Sequence, residues 1–190
     1  MVEIKATSAF AGLLHPIGPT PARLSAVERQ GLVLLALAPK QGRRDALAER
    51  LQSLHGLDLP AGPRASFAPG AALIATGPAT FLLVLDEGDA AAAMAGLDDL
   101  ATLTDQSDGY GVLRLTGPGT FETLAKGISI DFHPGAFGPG GAAVTACAHM
   151  GAILWQVDDR PTVDIAVFRS MAGSFWHFIE ASGAAGGIAA

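Results

Sequence analysis

Short apolar segments separated by turns of only a few residues constrain this chain more than any other feature of its sequence. Residues 31–38, 81–85, 111–115, 152–157 and 163–168 are all runs of strand length. Parallel neighbouring strands need a long crossover connection, whereas antiparallel neighbours can be joined by a tight turn. The spacing therefore favours an antiparallel or mixed sheet over a parallel doubly wound fold.

Helical segments alternate with these runs in an order that repeats once. Residues 44–54 and 90–95 are predicted helices in the first half, and residues 117–126 and 171–181 are their counterparts in the second half. Each half then reads strand, helix, strands, helix. This order predicts an α+β fold of two pseudo-repeated halves, in which the helices pack on one face of mixed or antiparallel sheet.

The predicted organisation has three parts. Residues 1–29 lack periodicity and are expected to form an extended N-terminal arm. Residues 30–182 are expected to form a single α+β domain, with halves at about 30–100 and 101–182. The low-complexity residues 183–190 are predicted to be a disordered tail.

Local signals set several predicted boundaries. Ser107-Asp108-Gly109 is typical of a hairpin turn and is expected to join strands at 101–106 and 111–115. Gly127 is expected to cap the helix that ends at Lys126, and Ser170 is a candidate N-cap for the last helix.

The composition is apolar for a free monomer. Hydrophobic residues make up 49% of the chain and charged residues 16%, whereas about 25% charged residues is usual. Either a large core or a surface covered by a partner would account for this. The net charge of -6 and the lack of a basic stripe argue against nucleic-acid binding.

Hydropathy and cysteine content indicate the cellular compartment in which the protein is expected. The longest apolar stretch, residues 32–39, is too short to cross a bilayer, and no signal peptide is expected at the N-terminus. A single cysteine excludes an internal disulfide and fits a reducing environment. We therefore expect a cytoplasmic protein that does not enter membranes.

Common catalytic templates are missing from the sequence. It contains neither the glycine fingerprint of a dinucleotide fold nor a phosphate-binding loop. Cys147 and His149 are two apart on a predicted strand, so both would face one side, yet zinc usually needs three or four protein ligands. A packed cysteine beside a surface histidine is the favoured interpretation. The pair Arg43-Arg44 at a predicted helix start is interpreted as a solvated face.

Two carboxylates interrupt apolar segments. Asp131 and Asp164 would each need a partner if buried, and Arg114 or Arg169 could supply one. Structural ion pairing is the favoured interpretation, with ligand binding as the alternative.

Aromatic residues are concentrated near the C-terminal end of the chain. Phe175 and Phe178 are three apart on the last predicted helix and would line one face, and Trp155 and Trp176 add to this content. Core packing is the favoured role, and an aromatic anchor for another subunit is the alternative.

Three blocks of sequence carry a resemblance to a known family. The first reads Asp105-Gln106-Ser107-Asp108-Gly109 and then Val112-Leu113-Arg114-Leu115-Thr116-Gly117-Pro118. The second reads Leu124-Ala125-Lys126-Gly127, Ile130-Asp131-Phe132-His133-Pro134, Ala136-Phe137 and Pro139-Gly140. The third comprises Asp164-Ile165, Val167-Phe168-Arg169-Ser170 and Trp176.

In this order and spacing the blocks resemble the gamma subunit family of heterotetrameric sarcosine oxidase, over residues 72–181. The chain departs from the family pattern at residues 74–80, where tryptophan and acidic residues are common, and near Val144, where a polar residue is often found. Related assemblies oxidise other N-methyl amines, so the exact substrate stays open.

The resemblance implies a fold similar to the tetrahydrofolate-binding domain of aminomethyltransferase. It implies a noncatalytic subunit that docks on the alpha subunit of a flavoenzyme, which also has beta and delta subunits and converts sarcosine to glycine in sarcosine catabolism. FAD, FMN, NAD and tetrahydrofolate are expected on the other subunits. No cofactor, metal or catalytic residue is expected on this chain.

The sequence is compatible with two other functions. A free-standing tetrahydrofolate-binding or aminomethyltransferase-like protein would present Asp131 or Asp164 to the pterin. A small regulatory or scaffold domain could share the fold without any oxidase partner.

Overall fold

The computed structural model describes residues 6–190, which form two β-sheets and four α-helices. The strands are β1 (Leu24–Glu28), β2 (Val33–Pro39), β3 (Ala65–Ala68), β4 (Ala71–Gly77), β5 (Thr80–Leu85), β6 (Ala101–Asp105), β7 (Tyr110–Thr116), β8 (Ala142–Cys147), β9 (Met150–Gln156), β10 (Thr162–Phe168) and β11 (Ile188–Ala189). The helices are α1 (Arg44–His55), α2 (Ala90–Ala95), α3 (Thr120–Leu124) and α4 (Ala172–Gly183). None of the helices within residues 6–190 is long and apolar enough to span a bilayer.

Strand pairing divides the chain into a five-stranded and a six-stranded sheet. The first has the order β3-β4-β5-β2-β6, and the second has the order β11-β1-β7-β10-β9-β8. Every pair is antiparallel except β1 with β11. The predicted preference for antiparallel pairing is thus confirmed.

The pseudo-repeat is visible in both element order and sheet order. The series β2-α1-β3-β4-β5-α2 is followed by the equivalent series β7-α3-β8-β9-β10-α4. The strand that precedes each series joins the sheet of the other one: β1 pairs with β7, and β6 pairs with β2. The two halves are therefore interlocked by an exchange of strands.

The elements stack in four layers. Helices α1 and α2 cover the outer face of the five-stranded sheet, where Leu47 and Leu51 pack against buried residues of β2, β4 and β5. Helices α3 and α4 cover the outer face of the six-stranded sheet. The inner faces pack on each other through Leu34, Ile74 and Trp155, among others. This confirms the predicted α+β class with helices on one face of each sheet.

The predicted hairpin at Ser107-Asp108-Gly109 is wrong. β6 pairs with β2 in one sheet, whereas β7 pairs with β1 and β10 in the other. The segment carries the chain between the sheets, so strand β6 of the predicted second half belongs to the sheet of the first. Asp105 holds the turn by accepting hydrogen bonds from the backbone N–H and hydroxyl of Ser107, at 2.9 and 2.6 Å.

Two predicted helix boundaries differ from the structure. Helix α3 already ends at Leu124. Gly127 lies against the Phe178 ring instead of capping the helix: a Cβ at Gly127 would be 2.7 Å from Cζ of Phe178, so the ring would have to shift. Ser170 does not cap α4. It lies in a 3₁₀ turn (Arg169–Met171) that leads into the helix.

The predicted arm contributes to the fold. Its last residues form β1, and Phe10 is buried in the core beneath the six-stranded sheet, with its ring centroid 6.5 Å from that of Phe175. The backbone N–H of Phe10 donates to Glu28 at 3.1 Å. Residues 1–5 of the predicted arm lie outside the described residues.

The structure also differs from the predicted disordered tail. Residues 184–186 form a 3₁₀ turn, and β11 pairs in parallel with β1. Ile188 is buried and exchanges backbone hydrogen bonds with Ile17 at 2.7 and 3.0 Å. Low sequence complexity did not reveal this packing. A Cβ at Gly187 would clash with the backbone carbonyl of Pro19, so this glycine permits the close approach of the two segments.

Candidate functional site

The inner faces of the two sheets separate at one end and leave an apolar opening, which we call the inter-sheet cleft. It has a volume of about 280 Å³. Its walls come from three strands of the five-stranded sheet (β2, β4 and β5), four strands of the six-stranded sheet (β7, β8, β9 and β10) and the turn after β6. Its lining residues include Phe81, Leu82, Tyr110, Val144, Ile153 and Phe168, with Thr76 and Gln106 as polar neighbours.

Two aromatic rings form one side of the inter-sheet cleft. Tyr110 and Phe168 are direct cross-strand partners of β7 and β10. Their ring centroids are 5.0 Å apart and the rings are nearly parallel, with an interplanar angle of 17°. Phe168 is 50% exposed. Burial raises the pKa of the Tyr110 phenol above its ordinary value, because the charged phenolate is disfavoured there.

A second cavity continues from the cleft. Its volume is about 480 Å³, and it shares Thr76 and Val144 with the first. Its walls include Pro60, Pro63 and Pro78.

Arg44 is the charged residue of these two cavities. Its guanidinium carbon lies 5.6 Å from the centroid of the Phe81 ring. Among residues 6–190, Arg44 has no carboxylate partner within ion-pair distance. Arg43 and Arg44 were predicted to lie on a solvated helix start, and both are exposed there, but Arg44 also lines the second cavity.

Charged residues gather at another opening of the sandwich. Asp164 is 0% exposed and accepts hydrogen bonds from Nε and Nη2 of Arg114, at 2.7 and 2.8 Å. Arg29 donates to the same carboxylate at 2.7 Å and also bonds Asp86, which follows β5. The hydrogen bonds of Arg114 to the Asp164 carboxylate raise the pKa of Arg114 above its ordinary value.

The predicted ion pair of Asp164 is therefore present, and Arg114 supplies it. The alternative partner, Arg169, donates instead to the backbone carbonyl of Thr7. Because two guanidinium groups bond to its oxygens, the Asp164 carboxylate makes structural ion pairs.

Asp131 differs from Asp164 in being exposed. It accepts a hydrogen bond from the backbone N–H of His133 at 2.9 Å, which is an Asx turn in the loop between α3 and β8. The structure does not bring the two carboxylates together, since Asp131 lies in this loop and Asp164 lies in the interior of β10.

The structure corrects the placement of Cys147 and His149. Cys147 ends β8 and is buried, whereas His149 lies in the two-residue turn before β9 with φ 72° and is exposed. The pair therefore does not share one face of a strand. Burial raises the pKa of the Cys147 thiol to about 12. Within residues 6–190, no group of three His, Cys, Asp or Glu side chains could hold a metal ion.

The aromatic residues named by the sequence analysis mostly pack in the core. Trp155 lies between the sheets, and Phe175 and Trp176 pack beneath the six-stranded sheet, with Phe178 at its margin. The exposed aromatic ring at the cleft is Phe168, which the sequence analysis did not single out. Its position at the end of an otherwise buried strand was the available signal.

Comparison with families and curated proteins gives a consistent result. The model of the sarcosine oxidase, gamma subunit family matches residues 43–185. The chain is 34% identical over 125 residues to sarcosine oxidase subunit gamma of Corynebacterium sp. (strain P-1) and 32% identical over 127 residues to that of Arthrobacter sp.. Each match covers 64% of this chain and 61% of the relative, so the chain spans less than two thirds of these relatives' length.

Two solved structures share the fold. A chain of heterotetrameric sarcosine oxidase from Corynebacterium sp. U-96, in complex with pyrrole 2-carboxylate, matches with a TM-score of 0.76 and 25% identity, over 87% of this chain and 86% of that chain. Aminomethyltransferase T of the glycine cleavage system from Bartonella henselae matches with a TM-score of 0.61 and 15% identity, over 87% of this chain and 48% of that chain. The expected likeness to an aminomethyltransferase fold is thus confirmed.

Proposed function

Because this chain belongs to the sarcosine oxidase gamma subunit family, we propose that it is the noncatalytic gamma subunit of a heterotetrameric sarcosine oxidase-type flavoenzyme. In this proposal it docks on the alpha subunit, in a cytoplasmic complex that also contains beta and delta subunits. The complex oxidises sarcosine to glycine. FAD, FMN, NAD and tetrahydrofolate belong to the other subunits.

The observation that carries the proposal is the match to a chain of a heterotetrameric sarcosine oxidase over 87% of this chain. The physical character of the surface supports it. Val144 and Phe168 leave large apolar side chains in solvent at one end of the sandwich, and exposed apolar clusters of this kind mark protein–protein contacts. Asp164 is held in an ion pair and Cys147 is buried. Both observations are consistent with a subunit that contributes binding contacts to the complex rather than catalytic groups.

Reconstitution of the complex tests the proposal. The tagged chain is co-expressed with the alpha, beta and delta subunits from its own host and purified through the tag. We expect a stable complex with equal amounts of each subunit, flavin absorbance near 450 nm and sarcosine-dependent oxygen consumption. A chain that elutes alone while the other subunits assemble without it would contradict the proposal.

A free-standing tetrahydrofolate-binding protein is the second candidate, and the inter-sheet cleft is the observation in its favour. The carboxylates expected to face the pterin do not suit it, because Asp164 is paired with two arginines and Asp131 lies in an exposed turn. Titration of tetrahydrofolate into the isolated chain, followed by tryptophan fluorescence, separates the candidates. A saturable change would favour this second function.

A further inference from the structure

We propose that the inter-sheet cleft is the surface that receives the alpha subunit, and that it binds an apolar side chain with a neighbouring carboxylate. This inference rests on the proposed function and adds the contact surface and the chemistry of the segment it binds. In this proposal Arg44 binds the carboxylate of the partner. The pocket beside Tyr110 and Phe168 binds the apolar side chain of the partner.

The apolar part of the inference follows from exposure. Val144 is 56% exposed and Phe168 is 50% exposed, and both line the cleft. Because these two apolar side chains are about half exposed, the apolar surface is not confined to the enclosed part of the cavity. A small ligand in the cavity would leave the exposed part of these side chains in water, whereas a protein surface would cover it.

The charge of the residues around the cleft indicates that the partner contributes a carboxylate. Among the described residues, those that line the inter-sheet cleft and the adjoining second cavity include Arg44 and no aspartate or glutamate, although the chain has 18 acidic and 12 basic residues other than histidine. The other openings combine both signs, as in the cavity shared by Arg29, Asp86, Arg114 and Asp164. Arg44 is thus a cation beside an apolar surface, and residues 6–190 place no carboxylate within ion-pair distance of it. A complementary charge on a partner would fix the register of that partner.

The depth of the cleft suits an anchoring side chain. A cavity of about 280 Å³ beside two stacked rings can enclose a large aliphatic or aromatic group. Interfaces concentrate binding energy in such desolvated pockets, which are surrounded by contacts that exclude water. The cavity at Arg44 is continuous with this pocket through Thr76 and Val144, so one partner segment can occupy both.

The test measures assembly of the co-expressed complex with matched pairs of variants. Val144→Gln is compared with Val27→Gln, because Val27 is 55% exposed but lines neither cavity. Arg44→Glu is compared with Arg43→Glu, its exposed neighbour outside both cavities. Phe168→Ser is the third cleft variant. Circular dichroism and thermal unfolding verify that each isolated variant is folded.

We expect each cleft variant to raise the dissociation constant for the alpha subunit by about tenfold or more, and each control to change it by less than about twofold. If the wild-type chain assembles and the cleft variants bind as tightly as their controls, the inference is overturned while the proposed function stands. If the wild-type chain does not assemble at all, the proposed function itself is contradicted.

Two other occupants would also overturn the inference. Dimerisation of the isolated chain, abolished by Phe168→Ser in sedimentation velocity, would assign the cleft to a second copy. Saturable tetrahydrofolate binding that is lost in Arg44→Glu, with assembly unchanged, would assign it to a small ligand.

Discussion

Arg114 and Asp164 are direct cross-strand partners of β7 and β10, and two hydrogen bonds of 2.7 and 2.8 Å join their side chains. The carboxylate is fully buried and receives a third hydrogen bond from Arg29. Arg29 also bonds Asp86, which follows β5 of the other sheet. The ion pair therefore lies in a network that connects the two sheets.

Replacement of Asp164 by Asn should destabilise the fold strongly. The variant keeps the shape of the side chain but removes the carboxylate that Arg114 and Arg29 share, so that Arg114 loses its ion pair and, of the carboxylates within residues 6–190, Arg29 keeps only Asp86. Removing one partner of a buried pair typically costs about 3–5 kcal/mol. The free energy of unfolding, measured in urea by circular dichroism, should fall by that amount.

The matched control is Asp99→Asn, which removes the surface contact of Asp99 with Arg50 at 3.4 Å. Exposed pairs contribute about 0–1 kcal/mol, so this variant should unfold near the wild-type midpoint. A loss of stability in Asp164→Asn as small as the one expected for Asp99→Asn would show that the buried network does not stabilise the fold.

Cys147 should resist alkylation in the folded protein. Its pKa of about 12 leaves very little thiolate at pH 8, and the side chain is buried. Because the sequence has a single cysteine, mass spectrometry after iodoacetamide treatment reports this thiol alone. We expect labelling in urea and almost none under native conditions; comparable rates would contradict the placement of Cys147 at the buried end of β8.

Tyr110 should ionise above the usual pH range, and Phe168 should be partly responsible. Burial raises the pKa of Tyr110, and the stacked Phe168 ring covers one of its faces. The chain contains one tyrosine, so phenolate absorbance at 295 nm reports it directly. Phe168→Ala should move the midpoint down toward the ordinary tyrosine value, whereas Phe67→Ala, distant in sequence, should leave it unchanged.

Local sequence patterns were sufficient to predict most elements of the fold. The apolar runs at β2, β5, β9 and β10 are buried strands, and leucines at helical spacing form the packed face of α1. Strand partners were harder to predict, because pairing depends on residues distant in the chain. Two examples are the pairing of β6 with β2 in the five-stranded sheet and the pairing of β11 with β1.

The candidate site also has one part that local sequence predicts and another that depends on residues distant in the chain. Asp164 could be identified as a buried ion pair because one carboxylate interrupts an apolar run, and Arg114 was a named partner. The inter-sheet cleft could not be identified, because its walls come from strands of both sheets and its shape depends on where the sheets separate. Arg44 likewise resembles any exposed residue at a helix start until its position over Phe81 is known.

Gly111→Ala should weaken the packing of the N-terminal segment. A Cβ at Gly111 would lie 2.5 Å from Cβ of Ala9 and 2.9 Å from Cε2 of the buried Phe10. Overpacking of this kind typically costs about 1–3 kcal/mol. We expect a lower free energy of unfolding and faster proteolysis of residues 6–10 than in the wild type.

Gly173→Ala is the control for Gly111→Ala. Gly173 lies in α4, and a Cβ there meets no atom within 4 Å. Alanine in a helix is favoured over glycine by about 0.5–1 kcal/mol, so this variant should be slightly more stable than the wild type. An unaltered stability of Gly111→Ala would show that Phe10 does not occupy the core as described.

His55 should make the fold less stable in mild acid. Burial lowers its pKa below 6.5, and its Nε2 is buried with no hydrogen-bond partner among residues 6–190. The folded state therefore prefers the neutral ring: this contribution is complete above the unfolded pKa of about 6.5 and is lost as the pH falls toward and through the lower folded pKa. The urea midpoint of the wild type should fall between pH 7.5 and pH 5.5, approximate limits that bracket the unfolded pKa, and the fall should be smaller in His55→Gln. An equal fall in both proteins would assign the acid sensitivity to other groups.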